Sequence, residues 1–172
     1  MPEIIIVAGP NGAGKTSFAR QLLTSLDSTY VFLNADEIAR DLLSANMSDN
    51  ERDLKAARRM LQRLDELTLA SQNMVIETTL AALSYLKRIE AWKRDGFQVT
   101  LFFIRLPSPD AAIFRVRKRV AAGGHGIPEE TVRRRFQLGL ENLEKYYKSA
   151  VHTWYILDST DGFFQLVESS IY

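Results

Sequence analysis

The chain has 172 residues, 46% of them hydrophobic and 25% charged, with a formal net charge of +1. That size and balance suit one globular domain with a full core, and so small a net charge draws the chain neither to nucleic acid nor to an anionic membrane. There is no cysteine, and the two histidines, His125 and His152, stand far apart, so disulfides, thiol catalysis and cysteine–zinc sites are excluded and a histidine-based metal centre is disfavoured. No signal peptide precedes the first apolar run, and no run nears the roughly 18–20 residues of a membrane span. The expected location is the cytoplasm.

The first element is the strand Ile4-Ile5-Ile6-Val7-Ala8, β-branched as a buried parallel strand should be. It runs into Gly9-Pro10-Asn11-Gly12-Ala13-Gly14-Lys15-Thr16, which fits the P-loop pattern G-x-x-x-x-G-K-[ST] between strand and helix. Glycines at these positions let backbone N–H groups turn inward toward phosphate oxygens. The helix that follows, from Ser17 to Leu23, presents its positive end to the same anion. Lys15 is placed to reach the outer phosphates and the Thr16 hydroxyl to ligate Mg²⁺. Residues Gly9 through Ser17 are therefore the expected nucleotide contacts, for ATP or GTP with Mg²⁺.

A second strand, Tyr30–Leu33, ends at Asn34-Ala35-Asp36, and a helix spans 37–43. Ser48-Asp49-Asn50-Glu51 matches a capping box. It opens a long helix with Leu54, Ala57, Leu61, Leu64 and Leu67 as its expected core stripe. Met74-Val75-Ile76-Glu77 reads as a third strand, the next helix stops at Gly96, and Phe97–Ile104 is the strongest strand signal. Ser108-Pro109-Asp110 starts a helix over 109–121. The link Gly123-Gly124-His125-Gly126 leads to another helix from Pro128 to about Lys148, then a fifth strand, Trp154–Leu157. Asp161-Gly162 is a turn signal for a final hairpin strand near Phe164–Val167. Alternating strands and helices imply an α/β fold with a mostly parallel five-stranded sheet covered on both faces, and one domain throughout.

In such sheets ligands gather at the carboxyl ends of strands, where Asp36, Glu77, Thr78 and Thr79 fall. Asp36 can cap helix 37–43, serve as a reactive carboxylate, or do both. Glu77 ends an apolar strand as a Walker-B acid does, fitting either a Mg²⁺ outer shell or an arginine partner. The stretch 115–135 is arginine-rich. On helical angles, Arg115 and Arg119 share one border of the stripe Ala112, Ile113, Val116, Val120, while Arg117 takes the other. Arg133 and Arg135 flank the stripe Val132, Phe136, Leu140, Leu143, and Arg134 points to solvent. Arginines on helices joined by a glycine-rich link beside a P-loop read as a lid, about 109–148, over transferring phosphate. His125 is expected to order that lid when closed.

The strand and P-loop at 4–17, Asn34-Ala35-Asp36, Ile76-Glu77-Thr78-Thr79, and Arg119 through Pro128 with Arg133-Arg134-Arg135-Phe136 together resemble the zeta toxin family of small P-loop kinases. The resemblance covers most of the chain, and its most specific mark is Gly-Gly-His-x-Ile-Pro at 123–128. It implies a kinase with Asp36 as base toward a substrate hydroxyl, Thr79 near that substrate, and lid arginines, Arg119 and Arg135 with Arg115 beside them, on the phosphates. It also implies UDP-N-acetylglucosamine, phosphorylated at its sugar 3′-hydroxyl, as acceptor and a small helical antitoxin as partner. The chain is shorter than those toxins and its lid pattern differs from theirs. The expected function is thus transfer of a γ-phosphate to a small hydroxyl-bearing molecule. Other phosphotransferases of antibiotics or nucleosides, and a nucleotide switch or ATPase acting through a protein, are the alternatives.

Overall fold

The computed structural model describes residues 1–27, 29–41, 48–124 and 126–171. Leu42 and Leu43, at the end of the expected second helix, and His125 of the link lie outside the described residues. Within them the chain alternates β1 (Glu3–Ala8), α1 (Lys15–Ser25), β2 (Val31–Leu33), α2 (Ala35–Asp41), α3 (Asp49–Leu69), β3 (Met74–Thr78), α4 (Ser84–Arg94), β4 (Gln98–Arg105), α5 (Pro109–Ala121), α6 (Glu129–Asn142), β5 (Thr153–Asp158) and β6 (Gln165–Ser169). The strands form one sheet in the order β2-β3-β1-β4-β5-β6. The first five are mutually parallel. β6 runs antiparallel to β5, so the sheet has six strands where five were expected. The Asp161-Gly162 turn does make the hairpin, with Gly162 at φ +83°.

The sheet changes direction around β1. The chain builds β2 and β3 on one side of it and then crosses to β4 on the other, and such a crossing opens a crevice at the strand ends. Register makes that rim level: Ala8 lies beside Thr78 and beside Phe103, and Leu33 lies beside Ile76. The P-loop, Asn34 and Glu77 therefore emerge at the same height.

Both faces of the sheet are buried, as the uninterrupted apolar strands require. On one face Ile4, Ile6, Ile76, Leu101 and Phe103 pack with Leu64, Ile89 and Trp92. On the other, Ile5, Val7, Val75 and Ile104 pack with Ala19, Ile113, Val116 and Phe136. Phe18 of α1 meets Phe102 and Phe164 with ring centroids 5.2 and 5.1 Å apart, which fixes α1 to β4 and to the turn before β6.

Two elements differ from expectation. The capping box at Ser48–Glu51 starts α3 as expected, but the face of α3 that reaches the core is Ala56, Met60, Leu64 and Leu67, while Leu54 and Leu61 stay 55% and 43% exposed. At about 100° per residue, Leu54 and Leu61 sit across the border from the row that Leu64 shares with Met60 and Ala56. The small Ala56 and pliant Met60 let the helix lie close to the sheet on that row. The helix expected over 128–148 is α only to Asn142; Leu143–Tyr147 is π-helical and Lys148–Ala150 completes it. No periodicity announces such a local widening, because it is set by tertiary contacts of Asn142 and Tyr147.

The α3 assignment has a direct test by urea unfolding. Leu64→Ala should cost about 2–5 kcal/mol, as buried leucine truncations do. Leu61→Ala, on the exposed side, should cost less than about 1 kcal/mol.

Candidate active site

The loop between β1 and α1 is shaped by close approaches. Gly12 has φ +81°, and a Cβ there would stand 2.9 Å from Ala112 O of α5. Any side chain at Gly12 would push the lid helix off the loop. Gly9, Pro10 and Ala13 are buried behind the loop, and the buried Ser159 donates its hydroxyl to Ala13 O at 3.0 Å. Asn11, Gly12, Gly14, Lys15, Thr16 and Ser17 face a cavity of about 260 Å³ that Asp36, Glu77, Arg115 and Arg119 complete. Lys15 Nζ donates to Pro10 O at 2.9 Å, folding the charge over its own loop.

The acidic side is organised by Asn34, which motif reading noted but gave no role. Its carbonyl accepts from Ile38 N–H at 3.1 Å and its Oδ1 from Asp36 N–H at 2.8 Å. Asn34 therefore caps α2, the helix begins at Ala35, and Asp36 sits in its first turn. Of the roles open to Asp36, that of cap falls to Asn34: a cap's side chain accepts from the second or third helical N–H, and here Asn34 does so. Asp36 is exposed at the cavity rim. Asn34 Nδ2 also donates to Glu77 Oε2 at 3.0 Å, and the Thr16 hydroxyl donates to the same oxygen at 3.1 Å. Glu77 Oε1 is buried without a hydrogen-bond partner.

Burial lowers the Lys15 ammonium to about 8; Glu77 and Asp36 oppose that shift, and Arg119 and Arg135 add to it. The same burial raises the Glu77 carboxyl, against the pull of Lys15 and the Thr16 hydrogen bond. Two arginines of the expected lid thus stand near enough to the loop lysine to repel it, a cluster that favours an anion between them.

The remaining arginines divide. Arg115 lines the cavity, but its guanidinium is engaged with Ser159 Oγ at 3.2 Å, with Ser159 O, and with Thr160 O at 3.0 Å. It anchors the β5–β6 connection to α5, a partner no spacing rule pointed to. Arg117 pairs with Glu129, Arg133 with Asp110 at 2.5 Å, and Arg134 is exposed. Thr79, one residue past β3, stands outside the cavity lining and against α6. A larger apolar cavity, about 310 Å³, lies between α5 and α6. Its lining is aliphatic or glycine apart from Arg117 and Glu129, which pair with each other. Among the described residues no three acidic, histidine or cysteine side chains gather as a cage for a metal, and no helix is long and apolar enough to cross a membrane.

Residues 4–145 match the family described as AAA domain, AAA_33. The chain belongs to that family. Its fold is of P-loop kinase-like, nucleotide-binding type. An uncharacterized protein of Haemophilus influenzae is 26% identical over 134 residues, covering 78% of this chain and 92% of that protein. Among solved structures, one from the PezAT chromosomal toxin–antitoxin system of Streptococcus pneumoniae superposes with a TM-score of 0.70 at 20% identity, over 99% of this chain and 72% of the other. An AvrRxo1-ORF1:-ORF2 structure with ATP gives 0.77 at 16% identity, over 99% of this chain; the match spans 59% of that longer chain. Likeness at these identities concerns the fold.

The position of Lys15 yields a pH prediction. An anion bound beside it raises its pKa above the free value of about 8, so binding favours the protonated form. Nucleotide affinity should therefore be highest below pH 8 and fall as pH rises through it. Near pH 8 binding should take up a fraction of a proton, read by calorimetry in buffers of different ionisation heat. Lys15→Met should bind weakly and lose that proton uptake.

Proposed function

We propose that this protein is a kinase that moves the γ-phosphoryl group of ATP or GTP to a hydroxyl of a small molecule. The observation that carries the reading is Asp36. Asn34 does the capping, which leaves the Asp36 carboxylate at the mouth of the phosphate cavity opposite Lys15. A hydroxyl acceptor's proton would go to this carboxylate; a hydrolase would use it on water instead, and turnover that rises with an added acceptor tells the two apart.

The roles follow from placement. The α1 N-terminus and the loop N–H groups bind the phosphates, and Lys15 meets the outer ones. Arg119 and Arg135 neutralise charge on the moving group. Mg²⁺ fits this site: the Thr16 hydroxyl is a hard oxygen ligand, and the unpartnered Glu77 Oε1 is a buried acceptor for a coordinated water. When bound, the ion supplies charge neutralisation on the phosphate oxygens. Asp36 accepts the acceptor's hydroxyl proton as that oxygen bonds to phosphorus. The β–γ bridging bond breaks, and its electron pair leaves with the nucleoside diphosphate.

As acceptor we propose a UDP-amino sugar, and as partner a small helical antitoxin. The zeta-like segments of the sequence support both, and the toxin–antitoxin neighbour supports the partner. The phosphate cavity is bordered by the P-loop and α5, which supports α5 and α6 acting as a lid over nucleotide and acceptor.

Asp36→Asn tests the role of the carboxylate. The change leaves the Asn34 cap in place, so stability should shift by less than about 1 kcal/mol. Nucleotide affinity should stay within a few-fold while phosphoryl transfer falls roughly 10²–10⁴-fold, as for a lost general base. A collapse of affinity with normal turnover per bound nucleotide would instead place Asp36 among the groups that hold the metal.

A further inference from the structure

The turn after β3 is more tightly constrained than a connection requires. Leu80 is fully buried at φ +56°, a conformation that non-glycine residues hold only when their surroundings impose it. The constraint comes partly from within: Leu80 N–H donates to Thr78 Oγ1 at 3.2 Å and Ala81 N–H to Thr79 Oγ1 at 3.4 Å. The rest comes from α6 and the π-helical residues after it. Buried Asn142 donates Nδ2 to Leu80 O at 2.7 Å, and the Tyr147 hydroxyl donates to Ala82 O at 2.7 Å. Gly139 comes so near that a Cβ there would stand 2.5 Å from Thr79 O. The π-helical stretch resets the side-chain phase between Asn142 and Tyr147, and both reach the same turn.

Arg135, Gly139 and Asn142 lie four and three residues apart, on one face of α6. The first adds to the positive charge that Lys15 feels; the other two grip the turn. That turn starts from the strand end that carries Glu77, on the rim where an acceptor must enter. One face of one helix therefore grips the turn with two residues and carries, a turn earlier, the arginine whose charge Lys15 feels.

We infer that Asn142 is a positioning residue, and that through it and Gly139 helix α6 ties the Thr78–Ala82 turn to Arg135. Nucleotide phosphates drawing on Arg135 load the helix and tighten the turn, so the acceptor side is set only when the donor is bound. By reciprocity, a molecule ordering the turn strengthens the hold on nucleotide. The idea rests on the kinase reading for the turn's purpose, but its mechanical content can be tested without an acceptor.

The test is backbone hydrogen exchange on the full chain with saturating Mg²⁺ and the non-hydrolysable analogue AMP-PNP. In the parent, the analogue should slow exchange in the P-loop and also at the Leu80 and Ala81 amides. The effect at the turn should be about five-fold or more, the lower end of common coupling. Arg135→Ala, with the analogue raised until its P-loop is again protected, should lose the effect at the turn, and Asn142→Ala should lose it while keeping the P-loop effect. Thermal melting shows whether Asn142→Ala folds; if it does not, the parent and Arg135→Ala decide alone. A protected P-loop with an unresponsive turn, or a turn equally protected in Arg135→Ala, overturns the inference and leaves the nucleotide site standing. Retained turn protection in folded Asn142→Ala removes that residue from it. An analogue that protects nothing overturns the nucleotide reading, and this inference falls with it.

Discussion

The three-way contact of Thr16, Asn34 and Glu77 holds the site together. Glu77 Oε2 accepts from both the Thr16 hydroxyl and Asn34 Nδ2, so one oxygen joins the residues that follow β1, β2 and β3. Each arrives at the rim because the parallel register levels those strand ends. A carboxylate buried this far is tolerated only with strong donors or a cation nearby. Here two donors and the Lys15 charge supply part of that compensation. The free Oε1 marks what remains, and a hydrated cation on the Thr16 side would complete it. The same contact orients Asn34, which caps α2 and so sets where Asp36 stands.

The helices α5 and α6 are held to this rim by different means. α5 rests on the P-loop because Gly12 has no side chain, and Arg115 binds it to Ser159 and Thr160. Ser159 in turn reaches back to Ala13 O, so loop, α5 and β5–β6 connection are mutually braced. α6 is braced at its far end instead, through Asn142 and Gly139. Arg117 and Arg133 pair at the surface with Glu129 and Asp110. Exposed pairs of this kind contribute little to stability.

Much of this was legible in the sequence, and the parts that were not have physical reasons. The P-loop, the strand ends at Asp36 and Glu77 and the alternation of elements come from local periodicity and from a motif whose chemistry fixes its residues. Helical angles separated Arg119 and Arg135 from Arg134, because stripe borders are a local property. The same reasoning failed for α3, where Leu54 and Leu61 sit only a step around the helix from the buried row, whose other members are Ala56 and Met60. Asn34 as cap carried a local signal, a preferred N-cap residue directly before a helix, but its bond to Glu77, Ser159 as brace and Asn142 as clamp carry none. Each of these acts through a partner far along the chain, and a polar residue's partner is not written in its neighbours. Arg115 was placed at the right border, but its contacts with Ser159 and Thr160 depend on where β5 ends.

The central claim is that the phosphoryl group goes to a hydroxyl and not to water. The most direct measurement incubates the protein and Mg²⁺ with γ-labelled ATP or GTP in a small-molecule extract, UDP-amino sugars included, and follows the label. The account predicts that label appears in one organic phosphate ester, with nucleotide consumption rising sharply when the extract is added. Label that appears only as inorganic phosphate, at a rate indifferent to the extract, would contradict it.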